Sequence, residues 1–222
     1  MNFGEAFSFV FKDPNWFKKI IIPILCGLIP VIGQFVLLGY MIRTAKNVID
    51  GVELPLPTLD FGQDLGKGFN AFLINLVYAL PIIVLGGIAG LSSNFLYDAN
   101  ETLTIVLYIL MACFGLFAVL YGIIMMLIIP IATANYAAKG NLGAAFKFKE
   151  LFAMLKHSFG AWLLVILGSI IGGFIAPLGS IACGIGVLLT SAYGMLIYYH
   201  LMGQAYKVSN APKVGETVLE TL

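Results

Sequence analysis

The chain has 222 residues, of which 60% are hydrophobic and only 10% charged. A soluble domain carries about 25% charged residues, so the composition points to an integral membrane protein and excludes an ordinary soluble enzyme. The net charge of +1 leaves no basic surface for a nucleic-acid partner.

Residues 2–12 place Phe3, Ala6, Phe7, Val10 and Phe11 on one face at helical spacing. That pattern predicts an amphipathic helix on the membrane surface. Asp13-Pro14-Asn15-Trp16 reads as a helix start, with Asp13 as N-cap, Pro14 at the first helical position and Trp16 at the interface. Lys18 and Lys19 follow at headgroup level. No cleavage site follows, so the segment does not read as a signal peptide.

From Ile20 to Ile42 no charge interrupts the chain. The run is long enough for one crossing, yet Gly27-Leu28-Ile29-Pro30-Val31-Ile32-Gly33 inside it reads as a turn. We expect one helix over about 14–28, barely crossing or only re-entering the bilayer, and a second over about 31–50. Residues 52–68 form the longest polar connection. Leu54-Pro55-Leu56-Pro57 is extended, because each proline pushes its predecessor out of the helical region. A short amphipathic turn bearing Phe61, Leu65 and Phe69 is expected to follow. The third helix is predicted over about 69–91 with Pro81 inside, then a polar loop with Asp98 and Glu101. The fourth runs from near Thr102 to about Ala138, kinked at Pro130, with 132–139 emerging into water. Residues 141–157 are again amphipathic, with Lys147, Lys149, Glu150 and Lys156 on the polar side. Helices over about 159–176 and 181–207 follow, and a polar tail over 208–222.

The turn at Pro30 sets the topology. With it, all twelve Lys and Arg residues fall on one side, together with both termini. The positive-inside rule makes that side cytoplasmic. The expected fold is an all-α integral membrane protein, a six-helix bundle of three transmembrane hairpins, each preceded by a cytoplasmic amphipathic interfacial helix. It forms a single membrane domain over 1–222, multi-pass in the cell membrane. Three openings resemble one another: Asn2-Phe3-Gly4, Asp60-Phe61-Gly62 and Asn141-Leu142-Gly143. They suggest pseudo-repeats over about 2–51, 60–138 and 141–207.

Candidate functional residues fall in two groups. Phe3, Phe7, Phe11, Trp16, Lys18, Lys19, Lys147 and Lys149 would contact lipid at the interface, apolar rings inward and cations at anionic headgroups. Gln34 and Asn75 are polar groups at membrane depth, explained by helix–helix hydrogen bonding or by a substrate path. No charge is expected mid-membrane, which counts against a pump. His157 and His200 have no metal-ligand spacing around them, and Ser180 and Ser191 have no His/Asp constellation. Neither an enzyme nor a cofactor is expected. Cys26, Cys113 and Cys183 read as small packing residues, with a Cys26–Cys183 disulfide as the minor alternative. Glycines such as Gly86, Gly87 and Gly90 permit close helix approach, within the chain or between subunits.

Several pieces carry a resemblance: Lys12-Asp13-Pro14-Asn15-Trp16-x-Lys18-Lys19, Ile29-Pro30-x-Ile32-Gly33, Leu38-Gly39-Tyr40, Arg43-x-x-x-Asn47-Val48, Gly51 and Pro55-Leu56-Pro57. Together they resemble the prokaryotic membrane family named domain of unknown function 4013 (DUF4013), over about the first third of the chain. The resemblance implies a multi-span membrane protein and no particular activity. The expected role is a non-enzymatic scaffold or accessory subunit that associates with membrane lipids and with a second copy or a membrane-complex partner. The alternative is a passive carrier or channel for a lipid or small neutral solute.

Overall fold

A computed structural model of the protein describes residues 1–94, 100–182 and 185–211. Asp98, Cys183 and residues 212–222 of the polar tail lie outside them. Among the described residues there are eight α-helices and no strand. They are α1 (Glu5–Lys12), α2 (Trp16–Gly27), α3 (Ile32–Ile49), α4 (Phe61–Asn94), α5 (Glu101–Lys139), α6 (Phe148–His157), α7 (Phe159–Ile175) and α8 (Ile185–Ser209). Short 3-10 segments over Leu142–Phe146 and Ala176–Ala182 precede α6 and follow α7.

The chain does turn back at Pro30. The Ile32 amide donates to the Pro30 carbonyl at 2.7 Å, and Val31 sits between them at φ 64°, ψ −63°. That is a γ-turn of the rare positive-φ type, strained for a β-branched residue. α2 and α3 can close so tightly because Gly33 faces the Cys26 carbonyl, where a Cβ would collide with backbone. α3 then packs along α4 just as closely. A Cβ on Gly39 would overlap the Asp64 carbonyl, and one on Gly68 the Phe35 carbonyl.

α4 and α5 correct two expectations. The amphipathic turn expected around Phe61 is no separate element. Nothing between 61 and 94 breaks a helix strongly enough, and α4 is continuous through Pro81. The surface helix expected ahead of the second hairpin is therefore the foot of α4 and not an element of its own. α5 starts where Asn100 caps it, its side chain accepting from the Leu103 amide at 2.9 Å, and ends at Gly140 in the left-handed conformation (φ 66°). Its last turns do not emerge into water. Ile131 through Ala137 are buried, under α3, α8 and the 3-10 segment that follows.

At 1.5 Å per residue α5 is roughly 58 Å long and α4 roughly 51 Å, well beyond a hydrocarbon core of about 30 Å. The surplus is packed into protein at one end. There the buried core gathers around α8, which packs against α1, α2, α3, α5, α6 and α7. Ala192, Leu196, Leu201 and Ala205 of α8 are buried. So is the α7 stripe Trp162, Val165, Gly168 and Gly172. Gly172 and Gly194 bring the two backbones together. Away from this end the helices carry exposed apolar side chains, among them Ile83, Leu91, Ile109, Leu116, Val119 and Ile123. Among the described residues, three helices are long and apolar enough to cross a membrane: 61–91, 101–139 and 159–180. α2, about 18 Å long, is shorter than a span, and α8 is the hub of the packed end.

Candidate functional site

The packed end is built around the connection after α3. Residues 55–60 form neither helix nor turn, and Pro55, Leu56 and Pro57 are buried. A buried segment without regular structure cannot satisfy its own carbonyls, so other elements supply the donors. Asn47 Nδ2 donates to the Pro55 carbonyl at 2.9 Å. Lys19 Nζ donates to the Leu56 carbonyl at 2.9 Å, and Arg43 Nη2 to the Thr58 carbonyl at 2.5 Å. α2 and α3 thus clamp the strap residue by residue.

Two ion pairs anchor the clamp. Arg43 grips Asp64 bidentately, Nε to Oδ1 at 2.5 Å and Nη2 to Oδ2 at 2.8 Å. Asp64 is fully buried and also accepts the Asp60 amide at 3.0 Å. A planar fork matched to a carboxylate is the geometry in which a buried pair is held best. On the other side Lys19 donates to Asp13 Oδ2 at 2.7 Å, and the Asn15 amide donates to Asp13 Oδ1 at 2.8 Å. Burial pushes the Asp13 carboxyl up, but the Lys19 and Asn15 hydrogen bonds and the Lys19 charge outweigh it. The net effect holds Asp13 below the usual carboxylate range. Tyr40 is buried within electrostatic reach of Arg43, Asp64 and Asp13.

A second polar junction ties α5, the 3-10 segment, α6 and α8. Asn135 Nδ2 donates to the Ala144 carbonyl at 2.9 Å and to Glu150 Oε2 at 3.3 Å. Tyr206 donates to Asn135 Oδ1 at 3.3 Å. Lys139 pairs with Glu150. The Lys139 hydrogen bond, the strongest influence, holds the Glu150 carboxyl below its ordinary range against the effect of burial.

Two cavities flank these junctions. At the packed end, about 580 Å³ is lined by Phe9, Lys12, His200, Gln204 and Lys207 among others. The His200 ring stacks on Phe9 at 4.2 Å. Gln204 is oriented by the Asn2 backbone, Oε1 accepting from the Asn2 amide at 2.7 Å and Nε2 donating to its carbonyl at 3.1 Å. Nε2 therefore also donates to His200 Nδ1, 3.1 Å away, which leaves the neutral ring's proton on its other nitrogen. Further along, an apolar groove of about 550 Å³ runs between α5, α7 and α8, with Met125, Pro130, Gly172, Gly194 and Tyr198 in its walls.

The structure distributes the predicted interface residues unevenly. Phe3 and Phe7 at α1, and Trp16 at the start of α2, are half-buried and pack partly against the core, α1 and α2 both meeting α8. Phe9, not singled out in the sequence, is the deepest ring of α1 at 2% exposure, whereas Phe11 remains 57% exposed. Lys19 belongs to the clamp. Lys18 is exposed and forms no ion pair among the described residues. Lys147, just before α6, and Lys149 on it are exposed beside exposed Phe148 and Phe152. Gln34 donates to the Gly27 carbonyl at 2.5 Å and Asn75 to the Ala71 carbonyl at 2.8 Å. Each serves its own hairpin or helix, and neither lines the apolar groove. Sequence reasoning missed Asp64 and Asn47 as clamp residues. The available signal was Arg43, a cation next to an apolar run that needs an acidic partner.

The residues that carry the resemblance converge here: Asp13, Lys19, Gly39, Tyr40, Arg43, Asn47 and the Pro55-Leu56-Pro57 strap. A family model for a protein of unknown function, DUF4013, matches residues 22–185. The match runs from α2 to the first residue of α8, well past the first third, while residues 12–19 lie before its start. No curated protein and no solved structure matches the chain.

Proposed function

We infer the role of this chain, which belongs to the DUF4013 family of proteins of unknown function, from its own geometry. It is a non-enzymatic membrane scaffold or accessory subunit, working through lipid contacts and through association with a second copy or a membrane-complex partner. It sits in the cell membrane with six embedded helices, and the packed, charged end and both termini are cytoplasmic. α4, α5 and α7 span the bilayer, and α8 supports them from the centre. The α2–α3 hairpin dips in and returns at Val31.

One observation carries the reading. The outer halves of α4 and α5 present apolar faces that the rest of the chain does not cover, and no residue of the 101–139 span's most apolar window is buried. Gly86, Gly87 and Gly115 lie on these halves, and a Cβ built on each meets nothing within 4 Å. Such positions admit a neighbouring helix closely. At the other end six charged side chains, Arg43, Asp64, Lys19, Asp13, Lys139 and Glu150, are paired with one another in holding the fold, and the exposed Lys18, Lys147 and Lys149 are left to face lipid headgroups.

Cys113 is exposed on α5, two positions from Gly115, and serves as a natural probe. A variant with Cys26 and Cys183 changed to Ser, oxidised in native membranes, is expected to cross-link through Cys113 to a second copy or a partner. A protein that stays monomeric in nanodiscs, with no cross-link and no co-purifying partner, sinks the proposal. The apolar groove between α5, α7 and α8 favours the second reading, a passive carrier for a lipid or small neutral solute. That reading requires liposome flux that filling the groove with Gly173→Leu abolishes.

A further inference from the structure

A cleft of about 430 Å³ opens where the first turns of α2 meet the end of the strap. On its α2 side Lys18 and Lys19 are followed one turn later by Ile22 and Pro23, and Leu59 faces them from the strap. A helix rises 1.5 Å per residue, so the cations stand roughly 6 Å nearer the charged end than the apolar floor. This gradient matches a phospholipid, headgroup above and acyl chain below.

The charge balance selects the headgroup. Lys19 is committed to Asp13 and to the Leu56 carbonyl, so Asp13 offsets its charge. Lys18 has no such partner among the described residues and leaves the cleft with a net positive charge. Asn15 and Thr58 also line the cleft and are exposed, and their side chains form no hydrogen bond among the described residues. Asp60, next in chain to Leu59, is turned to the first turn of α4, where Oδ1 accepts the Gln63 amide at 3.1 Å. Among the described residues no carboxylate lines the cleft, so a zwitterionic headgroup would find none within it for its ammonium. A phosphate finds one ammonium and two neutral donors.

The geometry points to a site for one anionic phospholipid of the cytoplasmic leaflet, its phosphate held by Lys18 with Asn15 and Thr58, and its chain lying along Ile22, Pro23 and Leu59. This rests on the membrane placement proposed above and names the lipid class and the residues that select it. The strap reaches the cleft through Thr58, whose carbonyl Arg43 holds, so the lipid would bind against a wall already fixed by the clamp.

The test uses the full chain in nanodiscs of mixed phosphatidylcholine and phosphatidylglycerol, with retained lipid counted by native mass spectrometry. Phosphatidylglycerol is expected to be retained above its bulk share. Lys18→Glu replaces a cation with an anion, a change of two charges at about 1 kcal/mol each near an anionic surface, and is expected to weaken phosphatidylglycerol affinity by roughly 30-fold. Thr58→Trp, which fills the cleft without changing charge, is expected to lower it as well. Lys156→Glu, at an exposed position of α6 outside the cleft lining, leaves it unchanged, and excess inorganic phosphate does not displace the lipid. Equal loss from Lys156→Glu, no loss from Lys18→Glu and Thr58→Trp, or displacement by inorganic phosphate overturns the site. Failure of the wild-type chain to enter nanodiscs overturns the membrane reading itself, an outcome separate from the others.

Discussion

Arg43 and Asp64 lie 21 residues apart in sequence and meet with the acid fully buried. Removing one partner leaves the other charge unmatched in low dielectric, which costs about 3–5 kcal/mol. Arg43→Met is therefore expected to lower the melting temperature of the detergent-solubilised protein sharply, and Asp64→Leu likewise. The double variant Arg43→Met with Asp64→Leu should recover most of the loss, because it buries no charge at all. Arg43→Lys should not rescue, since an ammonium cannot fork across both carboxylate oxygens while holding the Thr58 carbonyl. If Arg43→Met melts with the wild type, the pair is not the anchor of the strap. The Asp13–Lys19 pair is nearly as enclosed, with Lys19 20% exposed against 16% for Arg43, but a single ammonium contact lacks the bidentate fork of the Arg43–Asp64 pair.

At the scale of elements, glycine separates into two kinds. Gly39 and Gly68 lie where α3 and α4 touch backbone to backbone, and a methyl at either would force the helices apart. Gly39→Ala and Gly68→Ala are expected to destabilise by at least the ~1–3 kcal/mol typical of overpacking. At Gly86 and Gly115 a methyl meets open space inside a helix. Alanine there should stabilise the isolated chain by roughly 0.5–1 kcal/mol, while weakening any association through those faces. Thermal unfolding of the four variants in detergent decides it, and Gly39→Ala melting no lower than Gly86→Ala contradicts the packing described. The contrast also marks what the sequence could reveal. Local signals carried well: the Pro30 turn, the fourth helix expected from near Thr102 to about Ala138 and found over Glu101–Lys139, and the helix-free proline strap all depend on a few neighbouring residues. What depends on contacts distant in sequence did not carry. The clamp on the strap, the approach of α3 to α4 and the inward turn of the α1 stripe onto α8 leave no periodicity to read. The merging of the second amphipathic segment into α4 was hidden for another reason. An amphipathic turn and the foot of a long helix have the same pattern, and only packing on α3 tells them apart.

Over the whole molecule the usual order of a globular protein is reversed. The end richest in charge is the best packed, and the most apolar stretches of α4 and α5 are the least covered. In water those stretches would form an apolar surface far larger than a soluble monomer exposes. In a bilayer they need no cover from protein, because lipid tails are as apolar as the side chains. What holds the bundle is then not apolar burial at membrane depth but the apolar core around α8 at one end, together with the polar junctions on the strap and at Asn135. The orientation proposed above puts the junction end in the cytoplasm, since it carries the lysines of α2 and α6, which the positive-inside rule keeps on that side. Single cysteines at Lys18, Gln63 and Lys149, all exposed, should react with an impermeant maleimide only after the membrane is opened. A cysteine at Glu101, at the start of α5 beyond the far end of α4, should react in intact cells. Labelling of Gln63 from the same side as Glu101 would place the two ends of α4 on one face of the membrane. A continuous helix of roughly 51 Å cannot do that while crossing, so the result would refute both the span and the sidedness.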